Sequence, residues 1–463
     1  MFVGAWCAFL FLYGAASGPL YRTESLRAII GRSALDGCWL YPVLYGEPFL
    51  TKPPGHYAAI GLCSLPFGEV TAASARLPSV FAAMLAVVMM HGMFRRVLGD
   101  RAALLVAVLL PCSVLWLDKV PSAEIDMTLV GWVTAAIVLF HRSLETQRRA
   151  SLGFLLGALL CVAGGTLTKW TAPAFFYLTV IPLLAWRKQL ALLFGWRHLL
   201  AVSIAGAACA LWAFAVVQQV GWDALANTIQ KEAAYRFAPK ASNGYPWADV
   251  VTYPLAVFAA HLPVSAFALL TFRPSFWKGF GAREKLLLQL LHCWTWPNLL
   301  FWTLVPNHNV RYALPMSAGL MGLGVMGLLS LVSRDPKGSA ATRKVMLGVA
   351  AFLACWLVAK IAFVEVVIPN RTAGRNAEAT GAALRECVPT GAPLYVFKLK
   401  DEGVMFYYAR PATRAHDPRA LPPGAFAILI RQEWEDRAAF GHLELLCCMH
   451  DQQGDPIYLV RRE

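Results

Sequence analysis

Eleven apolar segments, most near the roughly 20 residues that cross a bilayer, occupy most of the first 367 residues of this chain. They lie at 1–17, 76–94, 102–118, 124–141, 151–168, 170–186, 198–220, 249–271, 285–305, 311–332 and 345–367. Runs of this length in lipid must satisfy their backbone hydrogen bonds internally, which makes each a helix. The fold class expected is an all-α polytopic membrane domain over residues 1–370. The charge balance fits, since a net +14 spread over 463 residues falls largely in connecting loops. That placement excludes the nucleic-acid partner a soluble chain of this charge would suggest. Residues 1–17 end in GAASG, like a cleavage site, but no Lys or Arg precedes the apolar run, so an uncleaved first span is expected.

Alternate connections are basic. They carry Arg95, Arg96 and Arg101; Arg142, Arg148 and Arg149; Arg187, Lys188 and Arg197; Arg273, Lys278, Arg283 and Lys285; and Arg334, Lys337, Arg343 and Lys344. The positive-inside rule assigns these loops to the cytoplasm. The connection at 20–78, the turn at 118–124, the loop at 221–248, the turn at 305–311 and the tail after 368 then share the outer side.

The connection at 20–78 is too long and too patterned for a bare link. Leu26, Ile29 and Ile30 fall on one helical face, away from Arg22, Arg27 and Arg32, as in a helix lying in the membrane interface. Pro53-Pro54 suits the first turn of a second helix over Gly55–Ser64. Trp39, Tyr41, Tyr45 and Tyr57 are aromatics of the headgroup-level type.

Residues 371–463 are polar. Asn376–Cys387 and Glu433–Phe440 read as helices, and Pro393–Phe397, Phe426–Ile430, Leu443–Cys448 and Ile457–Val460 as strands. This alternation predicts a small α/β domain. The eleven cysteines lack metal-ligand spacing. A Cys387–Cys447 or Cys387–Cys448 bridge stays open.

Ionisable residues at span ends need an explanation. In Asp118-Lys119-Val120-Pro121-Ser122-Ala123-Glu124-Ile125-Asp126, Ser122 can cap the fourth span, with Glu124 and Asp126 favoured by the helix dipole. The two carboxylates are two residues apart, so at most one faces a given cavity point. Lys169 lies between two apolar segments rather than in a basic loop. It either snorkels or faces a cavity. Arg236 and Arg311-Tyr312 are outer-side cations and point to an anionic ligand such as phosphate.

Taken in order, YRTESLRAIIGR, Trp39-x-x-Pro42, YGEPFLTKPPGHY, SARLPS, SAEIDM, LTKWTAP and VRYALP resemble the C-type (GT-C) membrane glycosyltransferases. The likeness is to the lipid A aminoarabinose transferases and the protein O-mannosyltransferase superfamily, over roughly residues 20–320. It implies a polyprenyl-phosphate sugar donor and inverting transfer to a hydroxyl of a lipid, glycan or protein acceptor, outside the inner membrane and without an organic cofactor. It also implies catalytic carboxylates at Glu24 and Asp126. Counted from Trp39 and Lys52, the family's acidic pair falls nearer Arg22-Thr23, so Glu24 matches through a shift of one or two places. Lys52, Arg76, Glu124, Lys169, Arg236, Arg311 and Tyr312 are the implied substrate-binding residues. For Arg76 a structural pairing is the equal alternative. Thr51 replaces the glutamate that, with a later histidine, helps hold a metal in the aminoarabinose transferases. Residues 239–247 contain no histidine, so no metal is expected.

The rival reading is a transporter or flippase of an anionic lipid-linked sugar. An odd span count and a polar C-terminal cap argue against the internal repeats common there. A scaffold with a decayed site is a third. Alkaline phosphatase fused after Glu463 is expected to be active. An inactive fusion, with an active cytoplasmic reporter at the same point, would break the span count.

Overall fold

The computed structural model describes residues 2–146, 148–238, 245–332, 340–373, 376–398 and 402–463. Arg334, Lys337 and most of the 239–247 segment lie outside these, and of Arg148 and Arg149 only the helical backbone is described. In chain order the membrane region contains α1 (Phe2–Leu12), α2 (Thr23–Leu35), α3 (Gly55–Ser64), α4 (Ala72–Leu98), α5 (Asp100–Leu109), α6 (Val114–Lys119), α7 (Ile125–Glu145) and α8 (Arg148–Thr166). There follow α9 (Ala172–Trp186), α10 (Trp196–Val220), α11 (Trp222–Phe237), α12 (Trp247–Ala260), α13 (Val264–Ala268), α14 (Ala282–Leu304), α15 (Leu314–Val332), α16 (Ala340–Ala362) and α17 (Ile368–Thr372).

Among the described residues, Ala72–Leu98, Ile125–Glu145, Trp196–Val220, Val310–Val332 and Thr342–Thr372 are single stretches long and apolar enough to cross a membrane. The expected span at 249–271 is a bent pair, Trp247–Ala260 and Val264–Phe272, turning by 106°. Packing explains where its second arm goes. Gly324 and Gly327 on α15 let α13 lie directly on that helix, since a Cβ at either would overlap the Val264 or Phe267 carbonyl. The expected span at 102–118 is also split. Pro111 and Cys112 interrupt it, and Ser113 caps α6 by accepting from the Trp116 amide at 3.3 Å. The central helix is α7, which packs against α4, α8, α9 and α15.

The connection at 20–78 holds α2 and α3, with α3 at the expected Gly55–Ser64. The placement of α2 corrects the interfacial reading. Arg27 is only 9% exposed, and α2 is covered by a helix of the tail, α19 (Gly403–Tyr408), after α18 (Ala377–Cys387). Tyr45 and Tyr57 are buried core residues rather than headgroup anchors, while Trp39 stays exposed. Their cluster includes Ile30 together with Leu384, Leu394, Val404 and Phe426, so platform and tail share one apolar core. Polar bonds reinforce it. Leu20 N donates to Tyr407 Oη at 2.9 Å, Arg22 N to Gln452 Oε1 at 3.0 Å and Arg414 N to Tyr45 O at 2.9 Å.

After the hairpin pair β1 (Val43–Leu44) and β2 (Glu47–Pro48), the tail forms β3 (Leu394–Val396), β4 (Thr413–Arg414), β5 (Phe426–Ile430), β6 (Leu443–His450) and β7 (Pro456–Arg462). The sheet order is β4-β3-β5-β7-β6, parallel across its first three strands and antiparallel across the rest. The expected helix over Glu433–Phe440 is instead α20 (Arg431–Glu435) followed by a 3₁₀ turn at Arg437–Phe440. The cysteines are free thiols, including Cys387, Cys447 and Cys448.

One buried latch joins these parts. Arg76 on α4 donates Nε to Glu24 Oε1 at 3.0 Å and Nη2 to Glu24 Oε2 at 3.2 Å. Its remaining donors reach the carbonyls of Ala15, Ser17 and Pro19 at 3.0–3.2 Å. Glu24 also accepts from the Tyr21 and Ala123 amides, each at 2.8 Å. Removing one partner of such a pair strands a buried charge. Arg76→Ala is therefore expected to cost about 3–5 kcal/mol, read by unfolding in detergent. A loss below about 0.5 kcal/mol, the range of an ordinary surface change, would show that the latch is not structural.

Candidate active site

Local devices converge polar side chains on the platform end of the bundle. Gly55 N donates to Leu167 O at 2.8 Å, pinning the start of α3 to the loop that carries Lys169. A Cβ at Gly55 would come within 2.8 Å of that same carbonyl. His56 Nδ1 bonds Thr128 Oγ1 at 2.8 Å, tying α3 to α7. Burial and the nearby Arg27 charge pull its pKa down to about 3, so it is neutral. Asn309 accepts from Arg311 N at 3.1 Å and sets the 3₁₀ turn that presents Arg311 and Tyr312.

At the start of α7 the structure departs from the expected cap. Glu124, not Ser122, occupies the N-cap position, and it makes no side-chain cap bond. Its buried carboxylate lines the large cavity, accepting from Thr23 Oγ1 at 3.0 Å and pairing with Arg311 Nη1 at 3.2 Å and Lys119 Nζ at 3.5 Å. Asp126, two residues on, points elsewhere and meets Lys169 Nζ at 2.5 Å.

These contacts belong to a ladder of charge, alternating except where two cations meet over the Tyr312 ring. Lys52 Nζ meets Glu232 Oε2 at 2.5 Å, and Glu232 lies 3.7 Å from Arg236 Nη2. Arg236 and Lys169 both lie over the Tyr312 ring, at 5.4 and 4.6 Å. Asp126 Oδ2 is 3.8 Å from Arg311 Nε, and Arg311 leads to Glu124 and Lys119. Lys119 reaches Asp118 at 3.2 Å, and Asp118 reaches Arg371 at 2.8 Å. Six cations thus face four carboxylates. Among the described residues, two buried guanidinium nitrogens, Arg236 Nη1 and Arg311 Nε, lack a hydrogen-bond acceptor, a state that costs about 1–3 kcal/mol per group.

A cavity of about 600 Å³ opens beside the ladder, lined among others by Arg22, Thr23, Asp118, Lys119, Glu124 and Arg311. Asp126 lines a second, much smaller recess with Lys169, Phe175, Trp302 and Tyr312. The two carboxylates face different spaces, as their spacing implies.

Glu24, a catalytic carboxylate by the resemblance, touches the large cavity from a buried position. It is 5% exposed and all its bonds are committed to the latch. Burial alone would raise its pKa. The Arg76 charge and bonds, with the two amides, outweigh this and hold it below the ordinary carboxylate value. The stabilisation it gives is complete above that ordinary value and lost as pH falls through the lowered one.

A family model for dolichyl-phosphate-mannose-protein mannosyltransferases matches residues 51–222. An undecaprenyl phosphate-alpha-4-amino-4-deoxy-L-arabinose arabinosyl transferase from Pectobacterium carotovorum is 29% identical over 322 residues, 67% of this chain and 55% of that one. One from Pseudomonas savastanoi is 27% identical over 189 residues, 40% of this chain and 34% of its own length. The chain thus spans between a third and about half the length of these curated relatives. ArnT from Cupriavidus metallidurans, solved bound to undecaprenyl phosphate, superposes with a TM-score of 0.77 at 16% identity, over 99% of this chain and 97% of that one. The chain has the GT-C fold and is similar in sequence to the aminoarabinose and protein O-mannosyl transferases. The oligosaccharyltransferase of Archaeoglobus fulgidus shares the GT-C fold more distantly, with a TM-score of 0.56 at 13% identity, over 95% of this chain and 68% of that one.

Within this GT-C chain the ladder gathers Lys52, Glu124, Asp126, Lys169, Arg236, Arg311 and Tyr312, while Glu24 and Arg76 form the latch beside it. Sequence reasoning does not single out Glu232 or Arg371. Glu232 follows Lys231 on a polar outer helix, where such residues read as a solvated face. Arg371 finds Asp118 only through folding. Burial draws the Lys52 ammonium down to about 8, against the pull of Glu232 to keep it charged. An NMR titration of the Lys52 ammonium is expected to show a midpoint near 8, lower still in Glu232→Gln. A midpoint at the ordinary 10.5 would place Lys52 in open solvent.

Proposed function

We propose that this protein transfers a sugar from a polyprenyl-phosphate donor to an acceptor hydroxyl. The observation that carries the reading is the ladder's positive surplus with two guanidinium nitrogens that lack an acceptor among the described residues, one of them on Arg311, which lines the cavity with Glu124. A departing phosphate would satisfy both nitrogens in a site shielded from water, where charge-assisted bonds are strongest. The similarity to undecaprenyl-phosphate-dependent transferases supports the same donor class.

The chemistry follows from the lining. An acceptor hydroxyl enters the large cavity and gives its proton to Glu124, the carboxylate turned into that space. Its oxygen attacks the anomeric carbon as the bond from that carbon to the phosphate oxygen breaks, a single displacement that inverts configuration. Arg311, Lys169, Arg236 and Lys52 receive the polyprenyl phosphate, Lys52 exchanging Glu232 for it. In this reading Asp126 holds Lys169 in place, and Glu24 positions the platform rather than acting as base. The donor set for the family's metal is not a fit: Thr51 stands in the glutamate position, and among the described residues no group of three or more His, Cys, Asp or Glu side chains could hold a metal ion. Residues 371–463 form an outer cap on the membrane domain of residues 1–370, with the reaction on that outer side.

Transfer from a radiolabelled polyprenyl-phosphate sugar, assayed with EDTA present, tests the reading. Glu124→Gln is expected to lower turnover about a hundredfold or more, with donor binding retained. If Glu124→Gln keeps most of its turnover while Asp126→Asn loses it, Asp126 is the base. Donor binding without any product would return the transporter reading.

A further inference from the structure

A second charged cluster lies at the other end of α7, unconnected to the ladder. From Asp126 to Glu145 the helix rises roughly 28 Å at about 1.5 Å per residue. That is close to the thickness of a bilayer's hydrocarbon core, about 30 Å. The cluster therefore sits at headgroup level on the opposite face of the membrane.

Its centre is Glu145, whose side chain is 2% exposed. Arg96 on α4, Arg142 on α7 and Arg283 on α14 approach its carboxylate at 4.0, 3.5 and 3.4 Å, and His141 at 3.6 Å. None of these contacts is a well-formed hydrogen bond. Among the described residues, both Glu145 oxygens and both His141 nitrogens lack a hydrogen-bond partner. One carboxylate balances only one of the three guanidinium charges, leaving a surplus of two. The unspent donors face outward, with Arg96 and Arg142 each 32% exposed and Arg283 61% exposed. Arg142 is braced over the Phe154 ring at 5.6 Å. The neighbouring Arg95 is paired with Asp100 at 2.7 Å and adds no net charge.

A pure helix clamp would close these contacts to hydrogen-bond distance and would not need three arginines on one carboxylate. We propose that Arg96, Arg142 and Arg283, gathered around Glu145, form a binding site for the phosphate of an anionic membrane lipid at this face. Guanidinium forks suit phosphate oxygens. The depth of the site favours a lipid headgroup over a soluble anion, and the surplus charge favours anionic over zwitterionic lipid.

Native mass spectrometry of the purified full-length protein, equilibrated with equal phosphatidylglycerol and phosphatidylcholine, tests this. The wild type is expected to retain phosphatidylglycerol about tenfold in excess. Arg283→Gln, the most exposed and least structural change, should cut the excess several-fold, and Arg96→Gln/Arg142→Gln/Arg283→Gln should abolish it. Glu145→Gln frees the guanidinium groups and should keep the lipid preference while lowering the melting temperature. Equal retention of both lipids by the wild type, an unchanged excess in Arg283→Gln, or loss of the excess in Glu145→Gln would overturn the proposal. So would displacement of phosphatidylglycerol by millimolar inorganic phosphate with no preference between the lipids, which would make the ligand a free anion.

Discussion

The buried pair of Arg76 and Glu24 fixes the geometry on which everything outside the bundle depends. Taking both charges out of water is costly, and their mutual attraction offsets that only if every remaining donor and acceptor is satisfied. Here they are. The guanidinium meets three carbonyls of the chain leaving α1, and the carboxylate meets two amides. One of those amides belongs to Ala123, next to Glu124. The latch therefore holds the entry to the platform, the start of α4 and the residue that places Glu124 in the cavity.

Much of the architecture is visible in the sequence because its causes are local. Proline pairs start helices, which is why α3 begins just after Pro53-Pro54. A five-residue apolar run between turn residues is a strand, which is why Phe426–Ile430 appears with the expected bounds. The outer cations stand out because span ends there are rarely basic. What stays hidden depends on distant partners. Glu24 resembles an exposed base on a loop until Arg76, 52 residues later, is seen to engage it. The charged face of α2 resembles a membrane-surface helix until the tail is seen to cover it. The break at residues 261–263 rests on the glycines of α15, some sixty residues on.

The ladder shows how a low-dielectric site keeps many charges without collapse. Each carboxylate is shared between at least two cations, so no single pair carries the full desolvation cost. Sharing leaves the network short of acceptors. Arg236 and Arg311 hold donors that nothing among the described residues satisfies, and Lys52 is drawn toward neutrality by its burial. Such a network is poised to bind an anion, because an incoming phosphate relieves a deficit rather than competing with a satisfied bond.

The most direct measurement is a structure of the protein in lipid nanodiscs with a polyprenyl phosphate bound. The account predicts the phosphate within hydrogen-bond distance of Arg236 and Arg311, with Lys52 turned from Glu232 toward it. A phosphate seated elsewhere, with the Lys52–Glu232 contact intact and the two guanidinium nitrogens still unpaired, would contradict it.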